Sequence, residues 1–237
     1  MFSIREAMGV GWRIFRENMA FLVGVHVIAV LIQTLPQMFI GESPSLQAPV
    51  AMISVLVTFV TALGLVQIGL NMVDGVPCTY GDLFSQAHLV FKYLIASILH
   101  ALAAGLPAIV MVGAVLLYTR LADLPVPQNP GTFVIIGALV IAIVLGAIPF
   151  VQFSLWPFPL VEKGMGPIEA LRESSRLTRG VRARLILLYL AMAGIMILGL
   201  LAFVVGVIVP YAMITVASAF VYRRILAHEL DGDGVTV

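Results

Sequence analysis

The chain has 237 residues, 61% of them hydrophobic and only 11% charged, with a mean hydropathy of +1.10. An ordinary soluble domain is about half apolar and about a quarter charged, so a water-soluble fold is excluded and the bilayer is the solvent that fits. The net charge of +1 leaves no electrostatic footprint for nucleic acid, and the single cysteine, Cys78, excludes an internal disulfide.

Residues 1–18 read as an interfacial amphipathic helix, formed from Phe2 to Asn18. Ile4, Met8, Trp12 and Phe15 make one stripe, and Arg5, Glu6, Arg13, Arg16 and Glu17 crowd the other sides. Such a helix either lies in the headgroup plane with Trp12 as its anchor, or extends the first spanning helix. The apolar run that begins near Met19 is too long for a signal-peptide core and lacks a small-x-small exit.

Six spans are predicted after it, at residues 20–40, 49–73, 93–118, 133–157, 185–203 and 206–222. Residues 41–45 form a short turn, residues 74–92 a polar loop with a short helix, and residues 119–131 a proline-rich loop. Pro149, Pro157 and Pro159 disturb the exit of the fourth span. The uncharged run Leu185–Tyr222 is nearly twice the length that a core of about 30 Å requires. It divides into two spans around a reversal bracketed by Gly199, Gly206 and Pro210.

Charge placement supports six. With a cytoplasmic N-terminus, only Arg120 of the thirteen basic residues falls outside, as the positive-inside rule requires. The expectation is an all-α, six-helix bundle in the cell (inner) membrane with both termini cytoplasmic. Small residues at four-residue spacing, Ala138-Ala142-Gly146, Ala101-Gly105 and Ala104-Ala108, would let its helices approach closely.

The longest polar interval, Trp156 to Arg184, holds six of the thirteen basic residues. Gly166-Pro167 starts a helix, Glu169 can cap its free amides, and Gly180 stops it. Arg172, Arg176 and Arg179 share one face, with Glu169 and Glu173 close enough to pair with them. With Arg182 and Arg184 they are the candidate site for anionic lipid headgroups or a partner protein. The hydroxyls of Ser174, Ser175 and Thr178 could add hydrogen bonds to a phosphate. The plainer alternative is that these arginines only set topology.

No Asp, Glu, Lys or Arg lies at mid-depth in a span, which argues against ion-coupled transport. His26, Gln67, His100 and Gln152 fall in the inner third. They either line a polar cavity open to the cytoplasm or bond between helices. His88 and His228 lie in polar flanks, and neither a catalytic motif, a cofactor motif nor metal-ligand spacing is present.

Ala170-Leu171, Ser174, Leu177-Thr178 and Gly180, then Gly199, Gly206, Pro210 and Tyr222-Arg223, form a pattern together with the opening IREAMGVGWRIFREN. In these residues the chain resembles a broad group of bacterial and archaeal multi-pass proteins. The group includes the membrane domain of some glycerophosphodiester phosphodiesterases. The resemblance implies a six-helix membrane unit with both ends inside. It implies no phosphodiesterase activity, because the soluble catalytic domain has no counterpart here.

Two functions are carried forward. The first is a non-enzymatic membrane protein that binds anionic lipid or a partner protein at its cytoplasmic face, in a scaffold or envelope-maintenance role. The alternative is a small-molecule or lipid permease built on the four polar side chains. An intramembrane enzyme has almost no support.

Overall fold

The computed structural model describes residues 3–38, 44–121, 132–201 and 204–232, and all regular structure within them is helical. Helix α1 (Ile4–Glu17) stops at Asn18, whose amide N–H reaches Ile14 O and Phe15 O while its side-chain amide donates to Ile14 O at 3.1 Å. The chain then turns by 92° into α2 (Met19–Met38). This bend rules out α1 as a straight continuation of the first span. Its buried face is Ala7, Gly11 and Phe15, with Ile4 and Met8 of the expected stripe partly buried against the core and Trp12 alone of that stripe left exposed. The centring of that face on Gly11 has a packing cause. A Cβ on Gly11 would lie 3.0 Å from both Ala217 Cβ and Met213 O, so α1 lies backbone-close against α9 (Val204–Gly232).

The long apolar helices are α3 (Pro44–Val73), α4 (Val90–Leu121), α5 (Thr132–Gln152) and α8 (Arg182–Leu201). Among the described residues three stretches are long and apolar enough to cross a membrane: Gln47–Val73, Tyr80–Met111 and Arg182–Leu201. The bent pair α1 and α2 makes a fourth if it is counted as one span. The run Leu185–Tyr222 is two helices, since α8 and α9 pack against one another; the reversal itself, at 202–203, lies outside the described residues, as do 39–43 and 122–131 of the two predicted loops. The expected small-residue approach is present where α4 meets α5. A Cβ on Gly146 would lie 2.9 Å from Ala104 O.

Between α3 and α4 the chain does not simply bridge two helix ends. It folds back along α3 through two 3₁₀ turns, Tyr80–Phe84 and Ala87–Leu89, the first capped by Asp82, which accepts from Thr79 N at 2.7 Å. Leu83 is buried, and its carbonyl rests on Gly64, where a Cβ would sit only 2.0 Å from that oxygen. Only glycine permits so close a backbone approach. Tyr80 packs on Phe21 at 5.0 Å, and Tyr93, in the first turn of α4, packs on Phe59 in the middle of α3 at 5.4 Å.

The predicted fourth span of 133–157 is shorter than expected. Helix α5 ends at Gln152, four residues turn, and α6 (Pro157–Lys163) and α7 (Pro167–Leu177) follow. Proline at the first position of α6 and α7 suits a place where the missing N–H would have had no partner. The fully buried core is assembled at this end of the molecule. Leu63, Leu155, Leu160, Leu177, Leu185 and Tyr222 form one cluster, and Phe15, Leu22, Ile68, Leu83 and Val216 a second.

Candidate functional site

A chain of ion pairs marks one end of the bundle. Arg223 on α9 donates through Nε to Asp74 Oδ1 at 2.9 Å at the end of α3, and its other nitrogens reach Asp74 and Glu162 on α6. Partial burial opposes the Arg223 charge, but hydrogen bonds to the two carboxylates and their negative charge outweigh it and raise its pKa above the ordinary arginine value. Tyr222 donates to the other Glu162 oxygen at 2.6 Å and stacks on Phe158. Arg224 reaches Glu6 of α1 at 2.6 Å. Helices α1, α3, α6 and α9 are thus joined at this end by charge-assisted bonds.

Helix α7 belongs to the same end. Glu169 accepts from Gly166 N at 3.1 Å, the expected cap, and Gly180 turns the chain at φ 81° beyond the last turn. Glu173 binds Lys163 at 3.2 Å and Arg176 at 2.9 Å, and Arg176 also reaches Glu229 at 3.5 Å. Partial burial works against the Glu173 charge. The hydrogen bonds and positive charges of Arg176 and Lys163 prevail and hold its carboxyl below the ordinary range.

The hydroxyls of α7 point the other way from the expectation. Ser174 and Thr178 are fully buried. Leu155 N donates to Ser174 Oγ at 3.0 Å, and the Ser174 and Thr178 hydroxyls both donate to Gln152 O, at 3.2 and 3.1 Å. Gln152 Nε2 donates to Ser175 Oγ at 2.8 Å. The break between α5 and α6 frees backbone groups that would be costly to leave unpaired, and α7 supplies their partners. These hydroxyls therefore hold a helix break together and are not arranged around a phosphate.

The five candidate arginines divide accordingly. Arg176 is engaged by Glu173 and Glu229. Arg172, Arg179 and Arg184 are exposed, Arg182 is half-buried with its Nε lacking a partner, and none of these four meets a carboxylate among the described residues. Arg5, Arg13 and Arg16 on α1 are likewise exposed and unpaired. At this end Glu6, Asp74, Glu162, Glu173 and Glu229 are in ion pairs and Asp82 and Glu169 are helix caps, while Glu17 on α1 is exposed without an ion pair; against it Arg5, Arg13, Arg16, Arg172, Arg179 and Arg184 leave a surplus of free guanidinium groups.

The four candidate polar side chains His26, Gln67, His100 and Gln152 are not brought together. Gln67 donates to Asn71 Oδ1 at 2.8 Å and accepts from Gln86 at 3.2 Å. Gln152 serves the helix break. His100 packs on Phe150 with Nδ1 unpartnered. His26 is buried, and its Nδ1 lies 2.7 Å from Leu22 O. A carbonyl only accepts, so Nδ1 carries the proton and the buried Nε2 is a bare acceptor, with the ring edge-on to Tyr211 at 5.2 Å.

A cavity missed by the sequence reading lies elsewhere, among α3, α4, the α5–α6 break, α8 and α9. It has a volume of about 240 Å³ and is lined by Val66, Tyr93, Ser154, Tyr189, Tyr211 and Ser218 among others, with none of the four polar candidates in its wall. Its sequence signal is scattered over five segments, which is why no local motif announces it. No group of three His, Cys, Asp or Glu side chains is placed to hold a metal ion among the described residues.

Comparison with known proteins finds no curated protein and no solved structure that matches the chain. Nothing in these comparisons links it to the glycerophosphodiester phosphodiesterases. A family model does match, from residue 11 to residue 229, so the protein belongs to the DUF975 family, described as a protein of unknown function.

Proposed function

We propose that the protein is a six-span, non-enzymatic protein of the cell membrane, with both termini cytoplasmic, whose cytoplasmic end binds anionic lipid headgroups. The observation that carries this reading is the surplus of guanidinium groups. Arg172, Arg179 and Arg184 stand exposed without a carboxylate partner, while the acidic side chains around them are already paired or capping. Each positive charge near an anionic surface contributes about 1 kcal/mol. Arg5, Arg13 and Arg16, with the exposed Trp12 between them in sequence, add a second cationic stretch suited to the interface. The permease alternative draws no support from His26, Gln67, His100 and Gln152, which serve separate contacts.

The test is lipid retention in nanodiscs of mixed phosphatidylglycerol and phosphatidylcholine. The wild type should enrich the anionic lipid by about fivefold, the equivalent of about 1 kcal/mol. Arg172→Gln/Arg179→Gln/Arg184→Gln should lose most of that enrichment. Equal retention of the two lipids by the wild type would sink the reading.

A further inference from the structure

The segment between α3 and α4 is apolar on both of its faces. Leu83 and Leu89 are buried against the bundle, while Val76, Tyr80, Phe84 and Phe91 are exposed. Polar groups between them bond within the protein. Asp82 accepts from Thr79 N at 2.7 Å, and the Ser85 hydroxyl donates to Asp82 O at 2.8 Å. Gln86 donates to Gln67 Oε1 at 3.2 Å, and the Cys78 thiol donates to Val76 O at 3.5 Å. The amides of Asp82, Ser85 and Leu89 bond inside the segment, and that of Val76 to Asn71 O. In water such a loop would leave its rings exposed at a cost, with nothing gained from pairing its polar groups inward. In lipid the inward pairing is required, because nothing else there donates or accepts.

Two further observations favour lipid as the cover. First, the segment lies alongside a span and not beyond it. Leu83 rests on Gly64, which falls within Gln47–Val73, the part of α3 long and apolar enough to cross a membrane. The next such stretch begins in this segment, at Tyr80, and runs through α4 to Met111. Second, the exposed surface is continuous with the outer face of that helix. Phe91, Ile95, Ile98, Leu102, Leu106 and Ile109 are all exposed and follow one another in steps of three or four residues, a single stripe down the side of α4. His88 and Lys92, exposed on either side of Phe91, set the limit of immersion. Their polar tips reach the headgroup boundary while the apolar bodies beside them sit deeper.

We propose that residues 76–91 form an interfacial anchor, immersed in the leaflet at this end of the bundle with Phe84 and Phe91 among the upper acyl chains. Its partner is the bilayer itself, met by aromatic rings at the level where such rings collect. The proposal rests on the reading of the chain as membrane-spanning. It does not rest on a preference for anionic headgroups, since the segment contains no arginine.

The experiment is fluorescence quenching of a bimane probe on the full-length protein in phosphatidylcholine vesicles. The probe is attached at Phe84→Cys, with Cys78→Ser to leave one thiol. Leu102→Cys on the outer stripe of α4 is the lipid reference, and the exposed His228→Cys, beyond Arg224 on α9, is the water reference. A phosphatidylcholine with a doxyl group high on its acyl chain should quench Phe84→Cys to within about twofold of Leu102→Cys. Aqueous iodide should quench it several-fold less than His228→Cys. Should Phe84→Cys fail to fold, Ala87→Cys, a substitution of similar size at an exposed position of the second 3₁₀ turn, gives the same reading. Iodide quenching equal to that of His228→Cys overturns the proposal. Shielding from both quenchers overturns it too, because a protein surface would then cover the segment. A Leu102→Cys probe that lipid fails to quench would overturn the membrane-spanning reading along with the anchor, whereas quenching at Leu102→Cys without quenching in the segment removes the anchor alone.

Discussion

Helices α1 and α7 are both short, amphipathic and rich in exposed arginine, and they are attached to the bundle by opposite means. Helix α1 docks chiefly through small residues: Gly11 lets its backbone lie against α9, with Ala7 and Phe15 completing the face and the exposed Glu6–Arg224 ion pair added at its edge. Helix α7 docks through hydrogen bonds: Ser174 and Thr178 satisfy Leu155 N and Gln152 O at the end of α5. Close packing resists insertion of bulk but tolerates sliding, whereas directional bonds fix one register. The difference teaches that two helices with the same outward chemistry hold their arginines with different rigidity.

Three experiments would break or sharpen that contrast. The largest effect should come from Ser174→Ala/Thr178→Ala, which leaves buried backbone groups unpaired and should lower unfolding stability in detergent by about 3 kcal/mol. A loss no greater than that of an α1 packing variant would break the contrast. Gly11→Val should cost about 2 kcal/mol by forcing α1 away from α9. It should quicken trypsin cleavage at Arg13 and Arg16 while cleavage at Arg179 keeps its wild-type rate; a parallel rise at Arg179 would show that the two helices are not separately attached. The smallest effect is a pH dependence. The Glu173 carboxyl is held below its ordinary range, so its stabilisation is complete above the ordinary carboxylate pKa and is lost as pH falls through the depressed value. The melting-temperature gap between wild type and Glu173→Gln should be constant above about pH 6 and narrow steadily as pH falls below the ordinary carboxylate value of about 4. A gap that persists in acid would assign Glu173 no ionic role.

Much of α7 was legible because its signals are local. Gly166-Pro167, Glu169 and Gly180 act through backbone geometry within a few residues of themselves, and the structure uses each as the sequence implies. The misreading of Ser174 and Thr178 was avoidable in principle, since both fall on the same three- and four-residue spacing as the buried Ala170, Leu171 and Leu177. Judged as hydroxyls they suggested phosphate; judged by periodicity they belong to the inward face. For His26, Gln67, His100 and Gln152, counting residues gave depth along each helix. Rotation about the axis, which decides whether two polar groups meet, is not contained in that count. On α1 Ile4, Met8 and Phe15 face the core as the stripe implies, but Ala7 and Gly11 at its centre were missed, because they carry little hydropathy and bury well. The contact of Leu83 with Gly64 joins residues too distant in the chain for any periodic pattern to disclose.

That contact decides what the start of α4 is fastened to. Because the segment between α3 and α4 is laid back along α3, the first turn of α4 stands beside Phe59. Lys92, in that first turn, donates to Gly164 O at 2.8 Å, and α7 packs against the same helix. The start of α4 is therefore fastened to the turn between α6 and α7, and a displacement of that turn is passed straight into the helix.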